Sequence, residues 1–143
     1  MHTLQQILNQ KEIDDIWSVS PTATVFEAIQ IMADKHAGAL LAMAGTKLEG
    51  IISERDYARE VILKGRSSKK TLVSEIMSKK VITVAPTDSV QSALELMTQH
   101  HIRHLPIIDD TTVVGVVSIG DLVKDVISVQ KTTIEQLENY IRT

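Results

Sequence analysis

The sequence Gly50-Ile51-Ile52-Ser53-Glu54-Arg55-Asp56 recurs 65 positions later as Gly115-Val116-Val117-Ser118-Ile119-Gly120-Asp121. The same offset aligns segment 19–62 with segment 84–127 without a gap, and fourteen of the aligned residues are identical. Self-similarity at one fixed spacing is typical of a duplicated structural unit, and fourteen identities are far more than chance gives. The chain is therefore predicted to be a tandem of two like units.

Both units have the same predicted order of helices and strands. Thr24 and Ser89 can each cap a helix whose apolar residues keep the spacing of one buried face. Two short apolar runs separated by turn residues follow, and they predict a pair of strands. A second helix then covers about 54–63 in the first unit and 119–128 in the second. Each unit is a β-α-β-β-α candidate, which makes the fold class α+β.

Neither unit is large enough to bury a sufficient core alone. We therefore expect the two to pack face to face about a pseudo-twofold axis, with binding clefts between them. Leu4-x-x-Ile7-Leu8 echoes Val73-x-x-Ile76-Met77, and Ile134, Leu137 and Ile141 keep helical spacing near the C-terminus. The predicted domains are the first repeat with its N-terminal helix, a linker, the second repeat and a C-terminal helix, at 1–64, 65–71, 72–128 and 129–143.

The composition limits the class of protein. Of the 143 residues, 43% are hydrophobic and 23% are charged, and no apolar stretch approaches the roughly 20 residues that span a bilayer. The N-terminal residues lack the pattern of a secretory signal. Cysteine is absent, which excludes disulfides, thiolate catalysis and thiolate metal sites. We expect a cytoplasmic protein, and the net charge of −3 argues against nucleic acid as a partner.

The duplicated Gly-h-h-Ser-x-x-Asp motif, where h is apolar, resembles that of the cystathionine-β-synthase (CBS) domain family. Other features similar to this family are Val73-x-x-Ile76-Met77, Val81-Ile82-Thr83-Val84-x-Pro86 and Ile102-Arg103-His104-Leu105-Pro106-Ile107. The resemblance covers about residues 4–127, so no catalytic domain is left over. More narrowly, segments 53–59 and 65–69 resemble a subgroup of stand-alone CBS-pair proteins, some of which bind AMP or NADH.

The resemblance implies a Bateman module, a sensor that binds adenine nucleotides such as AMP, ATP or NADH and catalyses no reaction. It also implies a homodimer joined through CBS helices, and a client protein that the sequence does not identify. The alternative is a protein–protein or nucleic-acid-associated adaptor that uses the basic linker and has vestigial pockets. An enzyme is disfavoured because the sequence has no Walker loop, no nucleophile elbow and no plausible triad.

Two interpretations compete for Ser53-x-x-Asp56 and Ser118-x-x-Asp121, which fall at strand-to-helix junctions. A lone Ser-x-x-acid pattern is more often a capping box at a helix start. Two copies within a family repeat favour nucleotide binding instead. An ionised carboxylate only accepts hydrogen bonds and suits both ribose hydroxyls, while a helix N-terminus favours anions. Asp56 and Asp121 are the predicted ribose ligands, with Ser53 and Ser118 beside ribose or phosphate.

The phosphate ligands are predicted to differ between the two units. Arg103 and His104 precede a strand, and the resemblance implies that they meet the nucleotide phosphates; a solvated loop is the alternative. Gly38 and Ala39 stand at the equivalent positions of the first unit. We therefore expect the site built on the second motif to bind AMP more tightly. Arg55 is either a further phosphate ligand or a surface arginine.

The remaining predicted ligands follow from the same resemblance. Thr83 and its counterpart Ser18 fall where the family reads the adenine edge. Ile102 and Pro106 complete the pocket of the second repeat. Arg66, in the basic linker, is a predicted extra contact for the second phosphate of NADH.

Trp17 and the histidines suggest two further roles, purine stacking and metal binding, which the sequence favours less than structural ones. Trp17 could stack on a purine, but a lone tryptophan more often belongs to the core. His100, His101 and His104 offer no i, i+4 pair and no convergent carboxylate, which disfavours a metal site. His36 and His101 are expected to end their helices, where histidine meets the C-terminal dipole.

Overall fold

The computed structural model describes residues 2–10 and 17–142. In chain order the elements are α1 (Leu4–Gln10), β1 (Ser18–Val19), α2 (Val25–Lys35), β2 (Ala39–Ala44), β3 (Lys47–Ser53), α3 (Glu54–Tyr57) with a π-helical turn (Ala58–Ile62), α4 (Val73–Ile76), α5 (Val90–His100), β4 (His104–Asp109), β5 (Thr112–Ser118) and α6 (Ile119–Arg142). Within the described ranges, every helix is too short or too polar to cross a bilayer.

The chain divides into two compact units. The first unit is the described part of Asp15–Ile82, and the second unit is the described parts of Met1–Asp14 and Thr83–Thr143. In the first unit β1 pairs in parallel with β2, and β2 pairs antiparallel with β3. The core of the first unit consists of apolar side chains that include Val25, Ala28, Met32, Leu40 and Ile52, as the amphipathic spacing predicts.

The second unit repeats this topology. β4 pairs antiparallel with β5, and Val84 forms an isolated parallel bridge with Ile107 where the first unit has β1. The strand register shifts between Ile107 and Ile108 here, and between Ala42 and Met43 in the first unit, which are the same positions of the repeat. The predicted β-α-β-β-α order is confirmed, with an isolated bridge in place of the first strand in the second unit.

The long helix of each unit begins and ends in the same way. Thr24 and Ser89 accept a backbone N–H from three residues ahead, at 3.2 and 3.0 Å, and such caps contribute about 1 kcal/mol each. α2 ends at His36 and α5 at His101, with left-handed φ values of 54° and 55°. Both predicted caps and both predicted histidine ends are confirmed.

α1 packs in the second unit, although it precedes the first repeat in sequence. Leu4 donates its backbone N–H to a carbonyl in the turn before α5 at 2.9 Å. Leu8 lies so close over Gly115 that a Cβ on the glycine would be 2.5 Å from the leucine Cδ2. His2 Nδ1 and the buried Asp125 Oδ1 are 2.6 Å apart, which ties the segment to α6.

α4 makes the corresponding contact in the first unit. A Cβ on Gly50 would be 2.8 Å from both the Met77 Sδ and the Ser78 carbonyl oxygen. The predicted boundaries, with the N-terminal helix in a domain of residues 1–64 and the second repeat beginning at 72, follow the order of the chain. In space the segments that precede the two repeats, α1 and α4, are exchanged. The segment of α1 packs over Gly115 of the second repeat, and the segment of α4 packs over Gly50 of the first.

α6 is one continuous helix of 24 residues, whereas the sequence predicted one helix over 119–128 and a separate one over 129–143. The hydroxyl residues near this boundary do not break the helix, because their side chains donate hydrogen bonds to backbone carbonyls one turn earlier. Thr132 Oγ1 donates to the Ser128 carbonyl at 3.1 Å, and Thr133 Oγ1 donates to the Val129 carbonyl at 3.0 Å.

Candidate functional site

Ser53 and Asp56 form a reciprocal pair of hydrogen bonds where β3 ends and α3 begins. Ser53 Oγ accepts the Asp56 backbone N–H at 3.1 Å, and Asp56 Oδ2 accepts the Ser53 backbone N–H at 2.9 Å. Ser53 is extended, with φ −123° and ψ 164°, as the first residue of a cap usually is. Both side chains are half-buried. The capping box, one of the two sequence-based interpretations, is present.

Ser118 and Asp121 form the same box at the start of α6, with distances of 3.1 and 2.9 Å. The chemistry of these side chains is not limited to capping. A serine hydroxyl both donates and accepts hydrogen bonds, and each oxygen of an ionised carboxylate can accept more than one. The box also fixes the rotamers of both side chains, so it prepares them to meet a ligand without a large loss of side-chain entropy.

The loop before β4 lies beside this second box. The Ile119 backbone N–H donates to the Arg103 carbonyl at 2.8 Å, and His104 pairs with Ser118 in the strand register. The structure therefore brings together, at the backbone level, four of the residues predicted for the second site: Arg103, His104, Ser118 and Asp121. Arg103 is exposed and His104 is half-buried.

The first unit builds the same framework without the arginine and histidine side chains. Glu54 donates its backbone N–H to the Gly38 carbonyl at 3.0 Å, and Ala39 pairs with Ser53. Gly38 and Ala39 thus occupy the places of the arginine and histidine of the second unit. Arg55 is exposed on α3, one residue beyond this bond.

The residues predicted to meet the base are partly exposed and partly structural. Ser18 and Thr83 are exposed at the start of β1 and just before Val84. Ile102 is half-buried and follows His101, the residue that ends α5. Pro106 is buried in β4, where its carbonyl accepts the Val84 N–H at 3.0 Å, so its main contribution is to the sheet.

Residues 55–70 of the first unit, which we call the basic segment, form ion pairs that the sequence did not predict. Arg66 Nη2 donates to Glu75 Oε1 at 3.2 Å, so the predicted phosphate ligand already has an acidic partner. Lys64 pairs with Glu60, and this hydrogen bond and charge hold the pKa of Glu60 below its usual value. In the sequence, the only sign of these ion pairs is the separation of the two charged residues. Glu60 and Lys64 are four residues apart, which is a recognisable spacing for a pair on a helix. Arg66 and Glu75 are nine residues apart, which is not.

The other singled-out side chains have structural positions. Trp17 packs against the core of the first unit, and its Nε1 is buried with no hydrogen-bond partner among the described residues. His100 is exposed in the last turn of α5. Across residues 2–10 and 17–142, no group of three or more His, Asp or Glu side chains could hold a metal ion.

Comparison with known proteins extends over nearly the whole chain. A family model described as CBS domain matches residues 11–63 and 73–128. The chain is 41% identical over 138 residues to the CBS domain-containing protein CBSX3, mitochondrial, of Arabidopsis thaliana, which covers 92% of this chain and 67% of that protein.

Solved structures share the fold. A protein described as a signal-transduction protein with CBS domains, from Burkholderia ambifaria MC40-6, superposes with a TM-score of 0.87 and 47% identity, over 89% of this chain and 95% of that one. The CBS domain pair of protein MJ0100, in complex with 5′-methylthioadenosine and S-adenosyl-L-methionine, superposes with a TM-score of 0.76 and 25% identity, over 87% and 94%. These similarities confirm the predicted fold class.

Proposed function

The chain belongs to the CBS domain family as a regulatory CBS pair, and from that premise we propose that it senses adenine nucleotides and catalyses no reaction. AMP is the proposed ligand, with ATP and NADH as related ones. The observation that carries the proposal is the same Ser–Asp box at both strand-to-helix junctions. The adenosine compounds bound to the MJ0100 domain pair support adenosine as the recognised group.

The proposed role of Asp56 and Asp121 is to accept hydrogen bonds from the ribose hydroxyls. Each carboxylate is half-buried, and its orientation is fixed by the bond to the backbone N–H of the preceding serine. A charged acceptor makes a stronger hydrogen bond than a neutral one. Ser53 and Ser118 lie at the same helix starts, where backbone N–H groups favour an anion, and their hydroxyl protons suit a ribose or phosphate oxygen.

The proposed phosphate ligands of the second unit are Arg103 and His104, which adjoin the Ser–Asp box there. A nucleotide phosphate loses hydration as it binds, and fixed cations offset that cost. Thr83, Ile102 and Pro106 are the proposed neighbours of the base in this unit, and Ser18 has the role of Thr83 in the first.

NADH is also a proposed ligand, and Arg55 and Arg66 of the first unit would meet one of its phosphates. The proposal includes membership of the subgroup of stand-alone CBS-pair proteins that segments 53–59 and 65–69 resemble. Because Arg66 is paired with Glu75, NADH must compete with that carboxylate. The same pairing reduces the positive charge open to nucleic acid, which disfavours a nucleic-acid adaptor.

We also propose a cytoplasmic homodimer that acts on a client protein. Ile62 and Ile127 are exposed on the second helices of the two repeats, and Leu63 is exposed directly after the first of these helices. Apolar surfaces of this kind are typical of contacts between chains.

Isothermal titration calorimetry of the full chain tests the proposed ligand. We expect saturable binding of AMP and binding weaker by about 1 kcal/mol or more for 2′-deoxyAMP, because one ribose hydroxyl is lost. GMP serves as the control for the base. Absence of AMP binding, or equal binding of AMP and 2′-deoxyAMP, would refute the ribose role and favour the adaptor.

A further inference from the structure

The last part of α6 has an apolar face that is exposed to water. All residues from 128 to 142 are exposed, and Ile134, Leu137 and Ile141 expose 55%, 58% and 80% of their surfaces. Most helical stability in proteins comes from the packing of an apolar face rather than from intrinsic propensity. A surface that covers these apolar side chains would therefore stabilise the last part of α6.

Gln130, Ile134, Leu137 and Ile141 form what we call the C-terminal seam. Their separations of four, three and four residues are those of alternating d and a positions in a heptad, the pattern of a helix that pairs with another helix. The opposite face of the helix is polar, with residues that include Thr132, Glu135 and Asn139. A narrow stripe of this kind fits a second helix better than a broad surface.

We propose that the C-terminal seam pairs antiparallel with the same seam of a second copy of this chain. In this register Ile134 lies opposite the partner's Leu137, and the twofold symmetry makes the contact twice. Lys131 flanks the seam and lies opposite the partner's Glu138. The charges that border the seam are therefore complementary to those of a second copy.

Parallel pairing of the same seams fits less well. Lys131 and Glu138 would then lie opposite Val126 and Thr133 of the partner subunit, so neither charge would meet an opposite one. Gln130 would also meet its own copy inside the seam, between apolar layers. In the antiparallel pair Gln130 lies opposite the partner's Ile141 at the ends, where water can satisfy its amide.

This inference names a contact for the homodimer proposed above, and it does not depend on nucleotide binding. Sedimentation equilibrium of the full chain tests it. We expect Leu137→Asp to raise the dimer dissociation constant about a hundredfold, because a charge replaces a buried leucine twice per dimer. Asn139→Asp adds the same charge to the opposite face of the same helix and should leave the constant unchanged. AMP binding should be equal in both variants.

A second variant separates this contact from the other proposed one. If Ile62→Asp gives monomers while Leu137→Asp remains dimeric, the homodimer stands and the pairing of the C-terminal seam is overturned. A wild-type chain that is monomeric overturns both proposals. Equal loss of the dimer in Asn139→Asp and Leu137→Asp would also count against the seam, because the effect would then be one of charge on the helix.

The orientation is tested by exchanging the flanking charges. Lys131→Glu and Glu138→Lys each place like charges opposite one another only in the antiparallel pair, and each should weaken dimerisation several-fold. The double variant, Lys131→Glu with Glu138→Lys, should restore it. If neither single variant weakens the dimer, the antiparallel register is wrong.

Discussion

Ile119 donates its backbone N–H to the carbonyl of Arg103 at 2.8 Å, and this bond fixes the loop that carries the guanidinium beside the first turn of α6. Glu54 makes the same bond to Gly38 in the first unit, at 3.0 Å. The two units thus share one backbone arrangement, and they differ in the side chains of the loop, which are Gly38 and Ala39 in the first unit and Arg103 and His104 in the second. Differences in ligand affinity between the units should follow from these side chains.

We expect Asp121→Asn to remove the tighter of two AMP binding events and Asp56→Asn to spare it. Asparagine keeps an oxygen that can hold the cap, but a neutral amide N–H replaces the other oxygen, so the ribose hydroxyls lose a charged acceptor for their protons. The expected loss is about 1.5–3 kcal/mol, the range for hydrogen bonds to a charged group. Calorimetry on both variants measures it. Equal losses, or a larger loss in Asp56→Asn, would assign the tighter site to the first unit.

Arg103→Ala should weaken AMP binding about tenfold or more and leave adenosine binding unchanged, because only the phosphate loses a charged partner. Arg103 is exposed and its fold contact is made by its carbonyl, so the melting temperature should not change. Arg59→Ala, which removes an exposed arginine from the first unit, is the control. A parallel loss of adenosine affinity would contradict the phosphate role.

Glu75→Gln should strengthen NADH binding several-fold, and Arg66→Ala should weaken it. The first change releases the guanidinium from its carboxylate while an amide oxygen can still accept the Leu72 N–H that Glu75 binds now. NADH fluorescence follows both. Glu49→Gln, which alters another exposed ion pair, should have no effect. NADH affinity that is the same in all variants would exclude Arg66 as a ligand.

Gly50→Ala should destabilise the protein more than Gly115→Ala. The new methyl group at position 50 meets the fixed Ser78 carbonyl oxygen, whereas at 115 it meets the end of the flexible Leu8 side chain. Overpacking of this kind costs about 1–3 kcal/mol, which urea unfolding measures. Leu8→Ala should rescue part of the loss in Gly115→Ala but none in Gly50→Ala. The helical Gly120 should tolerate alanine, because a Cβ there would lie 3.6 Å from Ser118 Oγ, an ordinary van der Waals contact.

The sequence was sufficient for features that repeat or that are local. The 65-residue offset predicted the strands and both helix caps, and it marked both Ser–Asp pairs as capping-box candidates, because each of these features is set by residues within a few positions of one another. His36 and His101 ended their helices as expected for the same reason.

Features that depend on distant residues were not predictable in this way. The exchange of α1 and α4 is decided by Leu8 and Met77 fitting over glycines far along the chain. The pair of His2 and Asp125 joins residues at opposite ends of the sequence. Periodicity identifies that a helix has a buried face, but it does not identify which sheet buries it.

The exchange of the leading segments has a consequence for biosynthesis. The first unit is complete in sequence once α4 has been translated, so it can close while the rest of the chain is still being made. α1 leaves the ribosome first, yet β4, β5 and α6, with which it forms one unit, come from the last part of the chain to be translated. The apolar residues Leu4, Ile7 and Leu8 of α1 can therefore be buried only after α6 has been synthesised. Until then they are exposed, and exposed apolar surface of this kind is what chaperones bind.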